Sequence, residues 1–212
     1  MTIVIVKGVA LAEGVKRRMI REAALALARK GLQRASFSEV LEASGAPRGS
    51  LYHHFPGGKA EMVLAALDVA GERVIEGLDA ATGKTAAEVA AAFFAIWRNV
   101  LALTDFGAGC AVAAVTVAAE SPAQTDSAAA IFRAWREKLT ALLAAGGVDD
   151  RAARGLAATL VSAAEGAVVL ARAERSFEPF DLVAAELVAA VRRATAAPVE
   201  RPTRRPARRK PR

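Results

Sequence analysis

The chain has 212 residues, enough for one large or two small domains around a substantial core. Ala, Leu and Val dominate and aromatics are few, which favours helix throughout, while a single Cys excludes an intramolecular disulfide framework and fits a reducing cytoplasm. The net charge of +7 is concentrated: residues 201–212 hold seven Lys/Arg and no acid, and residues 16–59 hold nine against Glu22, Glu39 and Glu42, a basic end on an acidic remainder that suits approach to nucleic acid by one face.

In chain order, residues 1–12 (MTIVIVKGVALA) carry a short apolar run and an Ala10-Leu11-Ala12 that imitates a signal cleavage site. A secretory signal needs a basic start and a longer apolar core, so this reads as a frayed leader, or the natural start lies downstream. Residues 13–30 form a first helix with an apolar stripe of Ile20, Ala23, Ala24 and Leu27. Lys16, Arg17, Arg18 and Arg21 flank it, either as a solvated basic face or as phosphate contacts. Gly31 ends this helix.

Residues 36–59 (SFSEVLEASGAPRGSLYHHFPGGK) carry the strongest pattern. Ser36 and Glu39 make a capping box, with the Ser36 hydroxyl accepting from the Glu39 amide and the Glu39 carboxylate reaching back. Gly45 suits a left-handed C-terminal position. Pro47 fits the first turn of a second short helix, 47–54, pinned by Leu51 and Phe55. Two short helices joined by a Gly-containing turn are a helix-turn-helix, whose second helix enters the major groove. Both histidines of the chain lie in that helix; as adjacent positions they diverge by about 100° and have no Cys or carboxylate cluster nearby, which argues against a metal site.

The segment GAPRGSLYHHFPGGK closely resembles the recognition-helix region of the tetracycline-repressor (TetR) family of bacterial regulators, and the resemblance extends over about residues 16–67. It implies that Arg48, Gly49, Ser50, Tyr52, His53 and His54 match positions that touch DNA, as does Ser36 at the cap, with Lys59 on the phosphate backbone. Chemistry agrees: Arg48 can fork onto guanine O6 and N7, and Tyr52 and the histidines suit phosphate oxygens. Two departures stand out. Pro47 lacks the side-chain donor that many members place there, and Gly57-Gly58 adds a residue ahead of Lys59.

A linking helix, 59–80, leads into a larger helical body. Thr85 and Glu88 cap a helix to 103; further helices are expected over 110–120, 121–146, 149–173 and 179–194, with Asp149 as a cap. The longest apolar stretch, 106–119, is too short to span a membrane and is bounded by Asp105 and Glu120, so no membrane partner is expected. The tail from 198 mixes Pro and Arg and is expected to be disordered. The reading is all-α, about nine helices: leader 1–12, helix-turn-helix domain 13–58, linker 59–83, ligand-binding and dimerisation domain 84–197, tail 198–212. Within the body, Gly109-Cys110-Ala111-Val112-Ala113-Ala114 is similar to the LmrA/YxaF-like subgroup of the same family.

The body's large side chains are concentrated in Phe93, Phe94, Trp97, Phe106, Phe132 and Trp135, with Cys110 among them. They could fill a core or line a cleft for a small apolar or aromatic effector, as corresponding helices do in the resembled family. Cys110 reads as a small core residue or as a thiol sensor. Leu156, Leu160, Ala163, Ala167 and Leu170, and likewise Phe180, Val183, Leu187 and Val191, form two stripes that could build a four-helix dimer bundle or face their own core. The functional expectation is a homodimeric repressor released from a double-stranded operator by a small molecule, needing no cofactor; a constitutive DNA-binding protein is the alternative. An enzyme fits worst, since no nucleophile pairs with either His and no phosphate loop or metal cluster is present.

Overall fold

The computed structural model describes residues 14–47 and 49–196. Among these residues it contains nine helices and no strand: α1 Val15–Arg34, α2 Phe37–Ser44, α3 Ser50–His54, α4 Gly58–Asp79, α5 Ala86–Leu103, α6 Ala111–Thr116, α7 Pro122–Ala145, α8 Asp150–Glu174 and α9 Glu178–Ala196. The expected leader, the tail and Arg48 lie outside the described residues.

The helix ends follow local chemistry. Thr85 and Glu88 form the complete reciprocal box, and Asp149 accepts from the amides of Arg151 (2.9 Å) and Ala152 (3.3 Å). Gly45 closes α2 at φ 65°. At Ser36 only half of the box forms: its hydroxyl accepts from Glu39 N at 3.3 Å, but the Glu39 carboxylate takes Lys30 Nζ at 2.7 Å instead of reaching back. The charged partner on α1 outcompetes a neutral amide, and the bond ties α1 to α2. At α7, Gln124 rather than Ser121 supplies the side-chain bond, accepting from Glu120 N at 2.7 Å. The sixth helix is shorter than expected, 111–116 rather than 110–120, with Cys110 as its cap.

One apolar core runs through head and body. In the head, Met19, Leu27, Leu32, Val40, Leu51 and Phe55 are buried. Helix α1 packs on α4 and also on α6, so the head is seated on the body as well as linked to it. The body is built from α4 to α9, with α7 against α4 and α8, and α9 against α5 and α8. Helices α5 and α8 have the length and apolarity of membrane spans, which the sequence expectation did not allow for. Their apolar stripes are turned into this core, however, with Val89, Phe93 and Leu101 of α5 and Leu160 of α8 sealed there.

Candidate nucleic-acid interface and apolar cavity

The reading helix α3 turns Leu51 into the head core together with Phe55, which leaves the opposite side outward. Tyr52 is 70% exposed, His53 is exposed and His54 half-buried, with the two imidazoles edge to face at 5.0 Å. Gly49 and Ser36 are exposed and Ser50 is half-buried, its hydroxyl donating to Pro47 O at 2.6 Å. Tyr52 and His53 are thus turned away from the head core, His54 only partly so, and the Ser50 hydroxyl already donates within its own turn.

Lys59, expected on the phosphate backbone, has a partner within the fold. Its ammonium donates to Leu32 O at 3.0 Å, at the C-terminal end of α1, where a positive charge offsets the helix dipole. Arg18 likewise serves the fold, with Nε donating to Ser44 O at 3.2 Å. Lys16 lies 5.1 Å over the Phe55 ring.

A cavity of about 240 Å³ lies where head and body meet. Of the residues expected at a ligand site, Trp97, Cys110 and Trp135 line this cavity. The other four are used elsewhere. Phe93 is fully buried, Phe94 packs edge-on to Phe180 at 5.8 Å, Phe106 packs on Phe177 at 4.6 Å, and Phe132 packs against the Trp135 ring at 5.3 Å. Aromatic clustering in sequence locates the layer but not the side of each helix. Missed altogether were Ala24, Leu25 and Ala28 of α1, which make the head part of the wall, and Arg73 of α4.

Polar groups here are sparse. Trp135 Nε1 donates to Gly71 O at 3.0 Å, whereas Trp97 Nε1 is buried with no partner. Cys110 contacts Glu165 of α8; burial raises the thiol well above its ordinary value, helped by the nearby carboxylate. Burial also raises Glu165 to about 7 against the opposing effect of the Cys110 hydrogen bond, and Glu165 Oε1 has no partner. No sequence pattern pointed to Glu165; its only signal is a carboxylate among small residues, Ala163-Ala164-Glu165-Gly166-Ala167.

The loop that borders the cavity is stitched to the head. Gly109 N donates to Ala28 O at 2.9 Å. Arg172 of α8 reaches Phe106 O (3.3 Å), Gly107 O (3.3 Å) and Arg29 O (3.4 Å), so one guanidinium ties α8 to both the loop and the head. A Cβ at position 109 would meet Arg172 Nη1 at 2.9 Å and Val168 Cγ1 at 3.3 Å, so a larger residue there would push the guanidinium aside. Asp105 and Phe106 take left-handed φ values of 49° and 59°, and Arg175, at φ 50°, holds Asp105 at 2.6 Å. Strain of this kind persists only where its surroundings hold it.

The two C-terminal stripes are corrected. Leu160, Ala167, Phe180 and Val191 are buried in their own subunit and cannot meet a partner. Leu156, Ala163, Val183 and Leu187 are half-buried, and of the nine only Leu170 is exposed. The outward face of α8 is a different row: Gly155, Thr159, Ser162, Gly166 and Val169, uncharged and exposed.

Residues 20–66 match the family described as bacterial regulatory proteins, tetR family, and residues 86–186 match the transcriptional regulator LmrA/YxaF-like C-terminal domain. The chain is 38% identical over 182 residues to the HTH-type transcriptional regulator Rv0196 of Mycobacterium tuberculosis H37Rv, covering 82% of this chain and 93% of that one. It is 25% identical over 170 residues to YxaF of Bacillus subtilis, covering 77% and 88%. Among solved structures, a TetR transcriptional regulator from Chloroflexus aurantiacus superposes with a TM-score of 0.70 at 25% identity, covering 84% of this chain and 94% of that one. One from Legionella pneumophila shares the fold with a TM-score of 0.75 at 20% identity, covering 84% and 97%.

Proposed function

This chain belongs to the tetR family of bacterial transcriptional regulators, and from that premise we propose that it is a homodimeric repressor that leaves its operator when a small apolar ligand enters the cavity between head and body. It is a DNA-binding regulator and not an enzyme. The observation that carries the ligand reading is the shared wall: Ala24, Leu25 and Ala28 of the head line the same space as Trp97, Cys110 and Trp135 of the body. A molecule that fills this space bears directly on the position of α1.

In the proposed DNA complex, Arg48 reads a guanine, Gly49 permits close backbone approach, and Ser36, Ser50, Tyr52, His53 and His54 take phosphates. Lys59 adds a phosphate contact with donors not used on Leu32, and so fixes α1 and DNA together. Two reading heads on one duplex face sit about 34–36 Å apart, or a multiple. The ligand must favour another spacing, because equal affinity for both states shifts nothing.

The dimer is proposed to form through the outward row of α8. Gly155 and Gly166 stand in mid-helix with nothing within 4 Å of an added Cβ. Glycine there costs about 1 kcal/mol relative to Ala, and packing within the subunit gives no reason for it. Close approach of a second copy about a two-fold axis does.

The test is an operator gel shift with Arg48→Ala and Arg172→Gln. Arg48→Ala is expected to cost roughly 1–3 kcal/mol and to relax preference at one base pair. Arg172→Gln is expected to bind operator and ligand yet lose ligand-induced release. Retention of full release in Arg172→Gln contradicts a coupling of cavity to head through the Arg172 bonds to the loop and to Arg29 O, and intact sequence preference in Arg48→Ala contradicts the placement of the reading helix.

A further inference from the structure

The cavity's own chemistry narrows what it can hold, an inference that rests on reading it as the ligand site. Its wall is apolar apart from a few groups. Thr104 is already satisfied, donating to Val100 O and accepting from Ala108 N. Cys110 stays a neutral thiol because burial holds its proton. No carboxylate lines the space, and Arg73 is the one charged residue among those that do. Among the described residues Arg73 has no hydrogen bond or ion pair. Trp97, 5% exposed, lines the same space with its Nε1 hydrogen unpartnered. A buried donor without an acceptor is costly, and a ligand acceptor would recover that cost.

We propose that the cavity binds a small apolar monoanion, an aromatic carboxylate by class, with its acid group held by Arg73 and the Trp97 indole N–H and its ring among the alanine and valine side chains and Trp135. The volume of about 240 Å³ falls below the roughly 300–1,000 Å³ of sites for drug-sized molecules, which limits the ligand to a few rings. A cation has no partner on this wall, and a neutral molecule leaves Arg73 unused.

Calorimetric titration of the full-length protein with three probes of one shape tests this: 2-naphthoate, 2-naphthamide and (2-naphthylmethyl)ammonium. Naphthoate is expected to bind about tenfold more tightly than the amide, and the ammonium most weakly. Arg73→Gln, at an exposed position, is expected to fold normally and to erase the preference for the acid while keeping the amide's affinity. Trp97→Phe is expected to weaken acid and amide alike, since both present an acceptor. If all three probes bind equally and still release operator, the ligand site stands and the anion assignment falls. If Arg73→Gln leaves the preference for naphthoate intact, the assignment also falls. If none of the three binds, both the anion assignment and the ligand-site reading are overturned.

Discussion

Glu165 is the residue whose environment departs furthest from its sequence neighbourhood. Burial raises its carboxyl from the usual 4.5 to about 7. A raised acid favours the protonated form in the folded state. Below 4.5 both states are protonated and pH has no effect through this group. Between 4.5 and 7 the unfolded chain ionises while the native one does not, so stability falls, and it levels off above 7. Glu165→Gln should therefore remove a pH-dependent loss of up to about 3 kcal/mol, leaving the variant more stable than wild type at pH 8 and little different at pH 4. Urea melts at the two pH values check this. Lys59 makes the complementary case. Its expected role on phosphate was legible from the motif, but its bond to Leu32 O was not, because the partner lies 27 residues away. Lys59→Met should cost about 1 kcal/mol of stability in addition to weakening DNA binding at all sequences, as measured by denaturation and gel shift.

At the scale of elements, the sequence was most legible where the signal was local. The caps at Thr85 and Asp149 depend on residues within one turn, and so does Gly45 at the end of α2; all three formed. The reciprocal half of the Ser36 cap did not, because Lys30 arrived from another helix. The C-terminal stripes show the limit of periodicity. A spacing of three and four marks a helix face but does not say whether that face meets its own core or another subunit. Leu160 and Phe180 went to the core, and the row of Gly155, Ser162 and Gly166 was left outside. The cavity lining was misjudged in part for the same reason, since Phe93 and Phe94 share α5 with Trp97 but are buried away from the cavity. Gly155→Leu and Gly166→Leu should leave the helical content of the subunit unchanged, since nothing lies within 4 Å of either added Cβ. Both should shift the protein to monomer in light-scattering chromatography and weaken operator binding with it. A dimer that persists in both variants would exclude this row as the interface.

For the whole molecule, charge and connectivity divide the work. Residues 16–59 carry the basic surplus of the folded part, and residues 201–212, outside the described residues, carry seven further cations. Neutralised phosphates release counterions, so removal of 201–212 should flatten the fall of log K with log salt without altering the operator consensus. The head's helix-turn-helix was legible from sequence because its pattern is short and local, whereas its ties through Lys30 and Lys59 were not. The cavity was not, because its wall joins Ala24 and Ala28 to Val74, Ile96 and Gly109, residues far apart in the chain and plain in composition. The central claim is that this cavity and the reading head move together. Trp97 and Trp135 are the chain's two tryptophans and both line the cavity, so their fluorescence reports on its surroundings. The direct measurement is their emission as operator duplex is titrated into wild type and into Arg172→Gln, with a scrambled duplex as control. The account predicts a saturable change with operator in wild type, absent with the scrambled duplex and lost in Arg172→Gln although that variant still binds operator. Emission in wild type that stays unchanged at saturating operator would contradict it.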